Sequence, residues 1–347
     1  MRFTTLTKVT AGGSLPLLLS LARTFATPVY RAAFLAGASG SGVLAQLAAG
    51  PRDVDTLADA LGITADRTLL RAWLDLGVQL GELSIDTGCY RLAGRTAKAL
   101  ARPRNDAVAA ALEEVMRFHV PVLLNGPAML GSSTRLTLAD QDGAIIARSS
   151  RVIAAFVEEA VERVLDREAP LRLLEIGCGS GDYVRYAAEL NPRLTALAVD
   201  YQPEVAAAAA ADLTARGLSD RIEVRHADIR DLHLEPQFDL ITMHNNIYYF
   251  PVDERIKLLE HARSLLAPGG RILLTTSCRG GNLSTEVLGL WFEFADFGGP
   301  LPDATELAGQ LRQAGFEEVA VRRLIPGEQF CSFVAANPRP ESRENRA

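Results

Sequence analysis

The residues best suited to chemistry stand in one short run. Glu175-Ile176-Gly177-Cys178-Gly179-Ser180-Gly181 carries three glycines at alternate positions, with an acid two residues before the first. Glycine tolerates left-handed backbone and lets a ligand approach the chain closely. The run follows the apolar stretch Leu171–Ile176 and opens a helical stretch at Asp182, whose first amides lack intrahelical partners. Strand, glycine turn and helix start make a ligand cradle. A dinucleotide fingerprint spaces its glycines G-x-G-x-x-G. The spacing here is G-x-G-x-G, which disfavours a nicotinamide enzyme.

Two further acids lie downstream. Asp200 ends the next apolar run, Leu197-Ala198-Val199, 19 residues past Gly181. An acid at the tip of a second strand can accept two hydrogen bonds from a ribose diol. The plainer reading is a loop aspartate that caps a helix. Tyr201 and Gln202 share that tip. Asp228 follows a third run and suits an adenine amino group, with Ile229 over the ring. Its plainer reading is a turn aspartate.

The elements that position these residues alternate. Apolar runs at 171–176, 194–199, 222–224, 240–243 and 272–275 are separated by helical segments. This alternation indicates α/β architecture, a parallel sheet with helices on both faces. Hydrophobic residues make up 48% and charged residues 22%, as in globular proteins. A net charge of −6 gives no overall attraction to nucleic acid or anionic membrane. Cys89, Cys178, Cys278 and Cys331 are too scattered for a disulfide framework or a zinc site, and read as free thiols in a reducing, cytoplasmic setting. His226 and His233 flank Asp228 without a metal-ligand pattern, so no metal is expected. His119 reads as a core or interface histidine.

The 347-residue chain allows two domains. We divide it into a helical domain (1–105), connecting helices (106–167), an α/β domain (168–336) and a disordered tail (337–347). Met1 to Lys8 carries two positive charges before the apolar 14–22, like a weak secretory signal. Gly12, Gly13 and Pro16 interrupt it, and Leu17, Leu21 and Phe25 fall four apart. A packed or dimerising helix is the better reading. No run reaches the ~18 to 20 apolar residues of a spanning helix. Apolar turns at 43–47, 54–61 and 65–80, the last capped by Thr64, precede a hairpin signal at 83–92. That is the order of a winged-helix module. Arg67 and Arg71 are offset by Asp66 and Asp75, which argues for packing or dimerisation over DNA binding.

Residues 171–336 resemble the class I S-adenosylmethionine-dependent methyltransferases. The resemblance rests on E-x-G-x-G-x-G, Asp200, Asp228, Phe238-Asp239-Leu240-Ile241 and Leu266-Ala267-Pro268-Gly269-Gly270-Arg271, in order. It implies a Rossmann-like seven-stranded sheet with an antiparallel final strand, 316–319 and 330–333 supplying the last two. It implies that Glu175, Gly177, Cys178, Gly179 and Gly181 hold the methionine part, Asp200 the ribose, and Asp228 and Ile229 the adenine. The whole chain is similar to the small-molecule methyltransferases that dimerise through a winged-helix-like domain. Many of these methylate oxygen atoms of secondary metabolites. Their histidine base follows the fourth strand, and counting back from Pro268 puts Tyr249 in its place.

The resemblance therefore leaves the base open. The candidates to take a proton are His244, at the end of the fourth strand, which titrates near neutrality when unperturbed, and Tyr249. His244 also lines the expected cofactor site. Tyr248, Tyr249, Asn245 and Asn246 could orient an acceptor. Trp291, with Phe292, Phe294 and Phe297, could wall an acceptor pocket or form a buried helix face. An absent histidine raises N- and C-methylation relative to O-methylation, because positioning alone supplies much of the rate to an amine. The competing classes are a cofactor-binding regulator without catalysis and an RNA or protein methyltransferase.

Overall fold

The computed structural model describes residues 14–64 and 66–339. The readings for 1–13, for Ala65 and for the tail from 340 onward lie outside the described residues. The chain divides into two compact units, Met1–Arg117 and Phe118–Ala347.

In the first unit, helices Val43–Ala48, Val54–Ala60 and Arg67–Gln79 are followed by a hairpin of β1 (Leu83–Asp86) and β2 (Cys89–Leu92). Phe34, Leu44, Leu57, Leu74 and Tyr90 form its core. Gly77 is required there, since a Cβ on it would come within 2.2 Å of the Phe34 ring. The Tyr90 hydroxyl donates to Asp75 at 2.5 Å. The helix over 67–79 is capped by Asp66, whose carboxylate accepts the Thr68 amide at 2.8 Å, and not by Thr64. The chain turns two residues later than the pattern suggests, and the aspartate is the acceptor within reach.

The apolar helix Ser14–Leu21 continues through a π turn into Thr27–Gly40. Leu17, Leu18, Phe25 and Tyr30 are 59–62% exposed on it. Those four side chains are thus largely uncovered among the described residues, whereas Phe34 and Leu35 further along are buried. Among the described residues, no helix is long and apolar enough to cross a membrane.

The second unit is a seven-stranded sheet in the order β5-β4-β3-β6-β7-β9-β8. Its strands are β3 (Leu171–Ile176), β4 (Leu194–Asp200), β5 (Ile222–His226), β6 (Phe238–His244), β7 (Leu266–Ser277), β8 (Glu317–Arg323) and β9 (Phe330–Ala336). β3 to β7 run parallel, and β9 runs antiparallel to both its neighbours. The Pro268-Gly269-Gly270 turn is a bulge inside β7, where the register against β6 shifts. Alternation along each strand feeds two apolar layers. Leu173, Ala198 and Leu240 face Val157, Val161, Val184 and Leu213 of the helices on one side. Ile176, Val199, Ile241 and Met243 face Leu258, Leu259, Leu307 and Leu311 on the other. The chain proceeds outward from β3 to β5, then returns to β6 beside β3. The carboxyl ends of β3 and β6 meet at that reversal, the place where open α/β sheets bind ligands.

Candidate active site

The glycine run forms the turn from β3 into helix Asp182–Leu190. Gly177, Gly179 and Gly181 all have positive φ, at 68°, 54° and 75°. Only glycine holds such a turn without strain. Its amides are mostly committed to the protein. Gly177 and Cys178 both donate to Val199 O, at 2.8 and 3.0 Å, and Gly181 donates to Cys178 O at 2.8 Å. Gly179 donates to the Asp200 carboxylate at 2.9 Å. A phosphate cradle needs those amides free. This loop instead leaves acceptors, and a Cβ on Gly179 would meet nothing within 4 Å.

Asp200 thus has a structural duty besides the expected one. Its two oxygens take the amides of Gly179 and of Gln202, the latter at 3.0 Å. An ionised carboxylate has about four lone-pair sites, so each oxygen can still accept a hydroxyl. Tyr201 is exposed beside it, and Gln202 starts helix Pro203–Ala215. Asp228 caps the Arg230 amide at 2.9 Å and pairs with its guanidinium at 2.7 Å. Burial pushes the Asp228 carboxyl up, but the hydrogen bonds from Arg230 outweigh it and hold the group below the usual range. Ile229 is buried next to it.

Glu175 lies beneath the loop, and neither of its oxygens reaches a hydrogen-bond partner. Burial raises its carboxyl to about 8; the Val184 amide, close by but outside hydrogen-bond geometry, offsets part of that, and Asp182 and Asp200 add to it. Cys178 is buried, and burial raises its thiol. None of the four cysteines is disulfide-bonded.

His244 is buried at the end of β6. Its Nδ1 lies 2.9 Å from the Thr275 hydroxyl, and its Nε2 has no partner among the described residues. Tyr183 packs against it with ring centroids 4.8 Å apart. Burial depresses the imidazole to about 3, so it stays neutral at physiological pH. Asn245 is left-handed, at φ 52°, and its Oδ1 accepts the Ser277 amide at 3.2 Å. Asn246 donates from Nδ2 to Ile176 O. The two asparagines thereby tie the end of β6 to β7 and to β3.

Tyr248 and Tyr249 follow in a short 3-10 turn and enter an aromatic cluster. Phe292 sits 4.8 Å from Tyr248 and 5.1 Å from Tyr249 by ring centroids, and Phe297 sits 5.9 Å from Tyr249. Trp291 is buried and packs edge-on against Phe292 and Phe297. The segment before helix Gly143–Ser149 clasps this cluster. Leu136 donates to Phe294 O and accepts from Asp296 N, both at 2.8 Å. The Tyr249 hydroxyl donates to Gln141 Oε1 at 3.0 Å. Sequence reasoning missed Gln141 and Tyr183. Gln141 stands 108 residues from its partner in a loop without periodicity, and no local signal marks it. Tyr183 is legible only as the second residue of a helix. His119 is buried, and burial lowers its pKa.

The chain is similar to known methyltransferases. Residues 174–272 match the methyltransferase domain family. The demethylspheroidene O-methyltransferase of Cereibacter sphaeroides is 29% identical over 82% of this chain and 77% of its own length. The mitomycin 7-O-methyltransferase structure aligns with a TM-score of 0.68 over 96% of this chain and 99% of that one, at 19% identity. Human N-acetylserotonin methyltransferase with S-adenosylmethionine aligns at 0.66, over 94% and 98%, at 20% identity. The structures speak to the fold. The chain is a class I S-adenosylmethionine-dependent methyltransferase. It is similar to O-methyltransferases that act on small molecules, and a helical unit precedes its methyltransferase domain. The glycine loop fits this cofactor: its orphaned acceptors and committed amides suit a cationic amino-acid group and not a phosphate.

Proposed function

We propose that the chain methylates a hydroxyl group on a small, largely apolar acceptor. The observation that carries this reading is the wall of Tyr248, Tyr249, Trp291, Phe292 and Phe297, joined to the glycine loop through Asn246. Ligand sites are mostly apolar with a few placed polar groups. The named activity of the Cereibacter sphaeroides relative, on oxygen of demethylspheroidene, supports both the atom and the class of acceptor.

When bound, the cofactor supplies an electrophilic methyl group on sulfur. The residues hold the partners in line and exclude water. Asp200 accepts from the ribose hydroxyls while fixing the loop. Asp228 and Ile229 hold the adenine edge and face. Glu175, Gly177, Cys178, Gly179 and Gly181 surround the methionine part, and Tyr201 and Gln202 border the ribose. Tyr249, anchored on Gln141, orients the acceptor, and Tyr248 and Trp291 line it. Asn245 fixes the turn that carries them. His244, buried and depressed to about 3, is too weak a base to draw a proton from a hydroxyl near neutral pH. In this reading it shapes the cofactor side, and the hydroxyl proton would pass to solvent as the oxygen–methyl bond forms and the methyl–sulfur bond breaks. The same observation favours an amine acceptor as a second reading, since an amine needs no strong base.

In the N-terminal unit, three helices and a hairpin support a winged-helix module. The exposed Leu17, Leu18 and Phe25 support a homodimer formed through it. We place domain boundaries at 105, 167 and 336, and the protein in the cytoplasm.

Titration of the full chain with S-adenosylmethionine, then turnover with demethylspheroidene and with phenols, tests the reading. Ether formation that falls at least tenfold in Asp200→Ala supports it. An N-methyl product from amine analogues, with no ether from any hydroxyl acceptor, selects the second reading.

A further inference from the structure

Asn246 holds its side-chain amide in one orientation. Nδ2 donates to Ile176 O, which can only accept, so Oδ1 faces away from that carbonyl. Oδ1 is buried and has no hydrogen-bond partner. A buried acceptor without a donor is costly and is rare in folded proteins. The amide lies against the glycine loop: a Cβ on Gly177 would come within 2.4 Å of Nδ2. Glycine at 177 therefore serves Asn246 as well as the turn.

Once ionised, the Glu175 carboxyl beside it is an acceptor too. Both Glu175 oxygens are buried without partners, and Glu175 precedes Gly177 by two residues on the strand that Asn246 touches. The nearby amides of Gly177, Cys178 and Gly179 are committed to Val199 and Asp200. With those three loop amides committed, the corner offers an anion little. It calls for an N–H donor, best a cationic one, and the methionine part of the cofactor carries one in its ammonium group.

We propose that Asn246 Oδ1 accepts a hydrogen bond from the ammonium group of the cofactor, which makes Asn246 a cofactor residue and not an acceptor-binding one. The inference rests on the cofactor reading above and not on the identity of the acceptor. It also gives the cofactor a route to the acceptor wall, because Tyr248 and Tyr249 follow Asn246 on one short turn.

The test is calorimetric titration of the full chain with three probes: S-adenosylhomocysteine, its analogue lacking only the amino group, and methylthioadenosine, which lacks the whole amino-acid part. The wild type binds the homocysteine compound about tenfold or more tighter than the desamino analogue. In Asn246→Leu that ratio falls to within about twofold of one, while methylthioadenosine binds as in the wild type. Equal weakening of all three probes would overturn the proposal and leave Asn246 as a brace for the loop. A preserved ratio would place the ammonium group elsewhere. Should Asn246→Leu fail to fold, the wild-type ratio still decides, since a value near one also overturns the proposal. Asn246→Ser, which keeps an acceptor oxygen, then supplies the variant arm with an intermediate ratio. A folded wild type that bound none of the probes would instead overturn the cofactor site itself.

Discussion

Glu175 makes the ligand-free protein sensitive to pH in a direction opposite to that of a paired carboxylate. Its ordinary value of 4.5 is raised to about 8 by burial. The sign follows. Below about 4.5 the group is protonated in both folded and unfolded chains, and the fold has its full stability. Between about 4.5 and about 8 the unfolded chain ionises while the folded one keeps its proton, so stability falls as pH rises. Above about 8 the loss is complete. Each pH unit in that window is worth ~1.4 kcal/mol, so the whole loss is on the order of 4 to 5 kcal/mol. Glu175→Gln removes the titration while keeping the shape. Urea denaturation of the ligand-free wild type and variant, at about pH 5 and about pH 8.5, reads the difference. The variant gains several kcal/mol relative to the wild type at the higher pH, compared with the lower. Parallel pH dependence in the two proteins would refute the buried, protonated Glu175. A cation bound nearby favours the ionised form. S-adenosylhomocysteine binding near neutral pH should therefore release a proton, seen as a heat that varies with buffer ionisation enthalpy, and Glu175→Gln should abolish that variation.

Three further outcomes are expected. Tyr249→Phe and Gln141→Leu remove the two ends of one hydrogen bond, so their effects on urea stability couple by ~0.5–1.5 kcal/mol in a double-mutant cycle, and strict additivity would break the link. With His244 depressed to about 3, the pH profile of kcat/KM carries no His244 ionisation between about pH 6 and about pH 8. An inflection near 6.5 that disappears in His244→Gln would show a solvated imidazole instead. Gly177→Ala forces a Cβ onto left-handed backbone and against Asn246, and should cost at least ~1–2 kcal/mol of stability and weaken S-adenosylhomocysteine binding. Wild-type-like melting and affinity would remove the close approach.

In the proposed site, Asp228 would carry two duties. Arg230 neutralises the carboxylate in the ligand-free chain and also reaches Glu254 at 3.2 Å. An adenine amino group would then meet a carboxylate already held in place, which lowers the ordering cost of binding.

Local chemistry made much of this protein legible before any fold was known. The glycine spacing at 177–181 admits the left-handed turn that the fold adopts, because only glycine lacks the Cβ that such backbone excludes. The short apolar runs of the α/β half, set between helical segments, marked five of its strands along the chain, though β7 is longer than its apolar run because it absorbs the Gly269-Gly270 turn as a bulge. The cap of the helix over 67–79 was misplaced onto Thr64, since two acceptors stood close together and only the path of the chain selects Asp66. Tertiary structure alone decided the rest. Burial turned His244 from a near-neutral histidine into a weakly basic one, and Glu175 from an anion into an acid. Neither change is written in residue type, because desolvation depends on what covers a group. Gln141 reached Tyr249, and Asn246 reached Gly177, through contacts that the sheet creates between distant segments. Sequence sets which groups are present and how the nearby backbone turns. Only the packed sheet sets which of them lose water, and with it their charge and their partners.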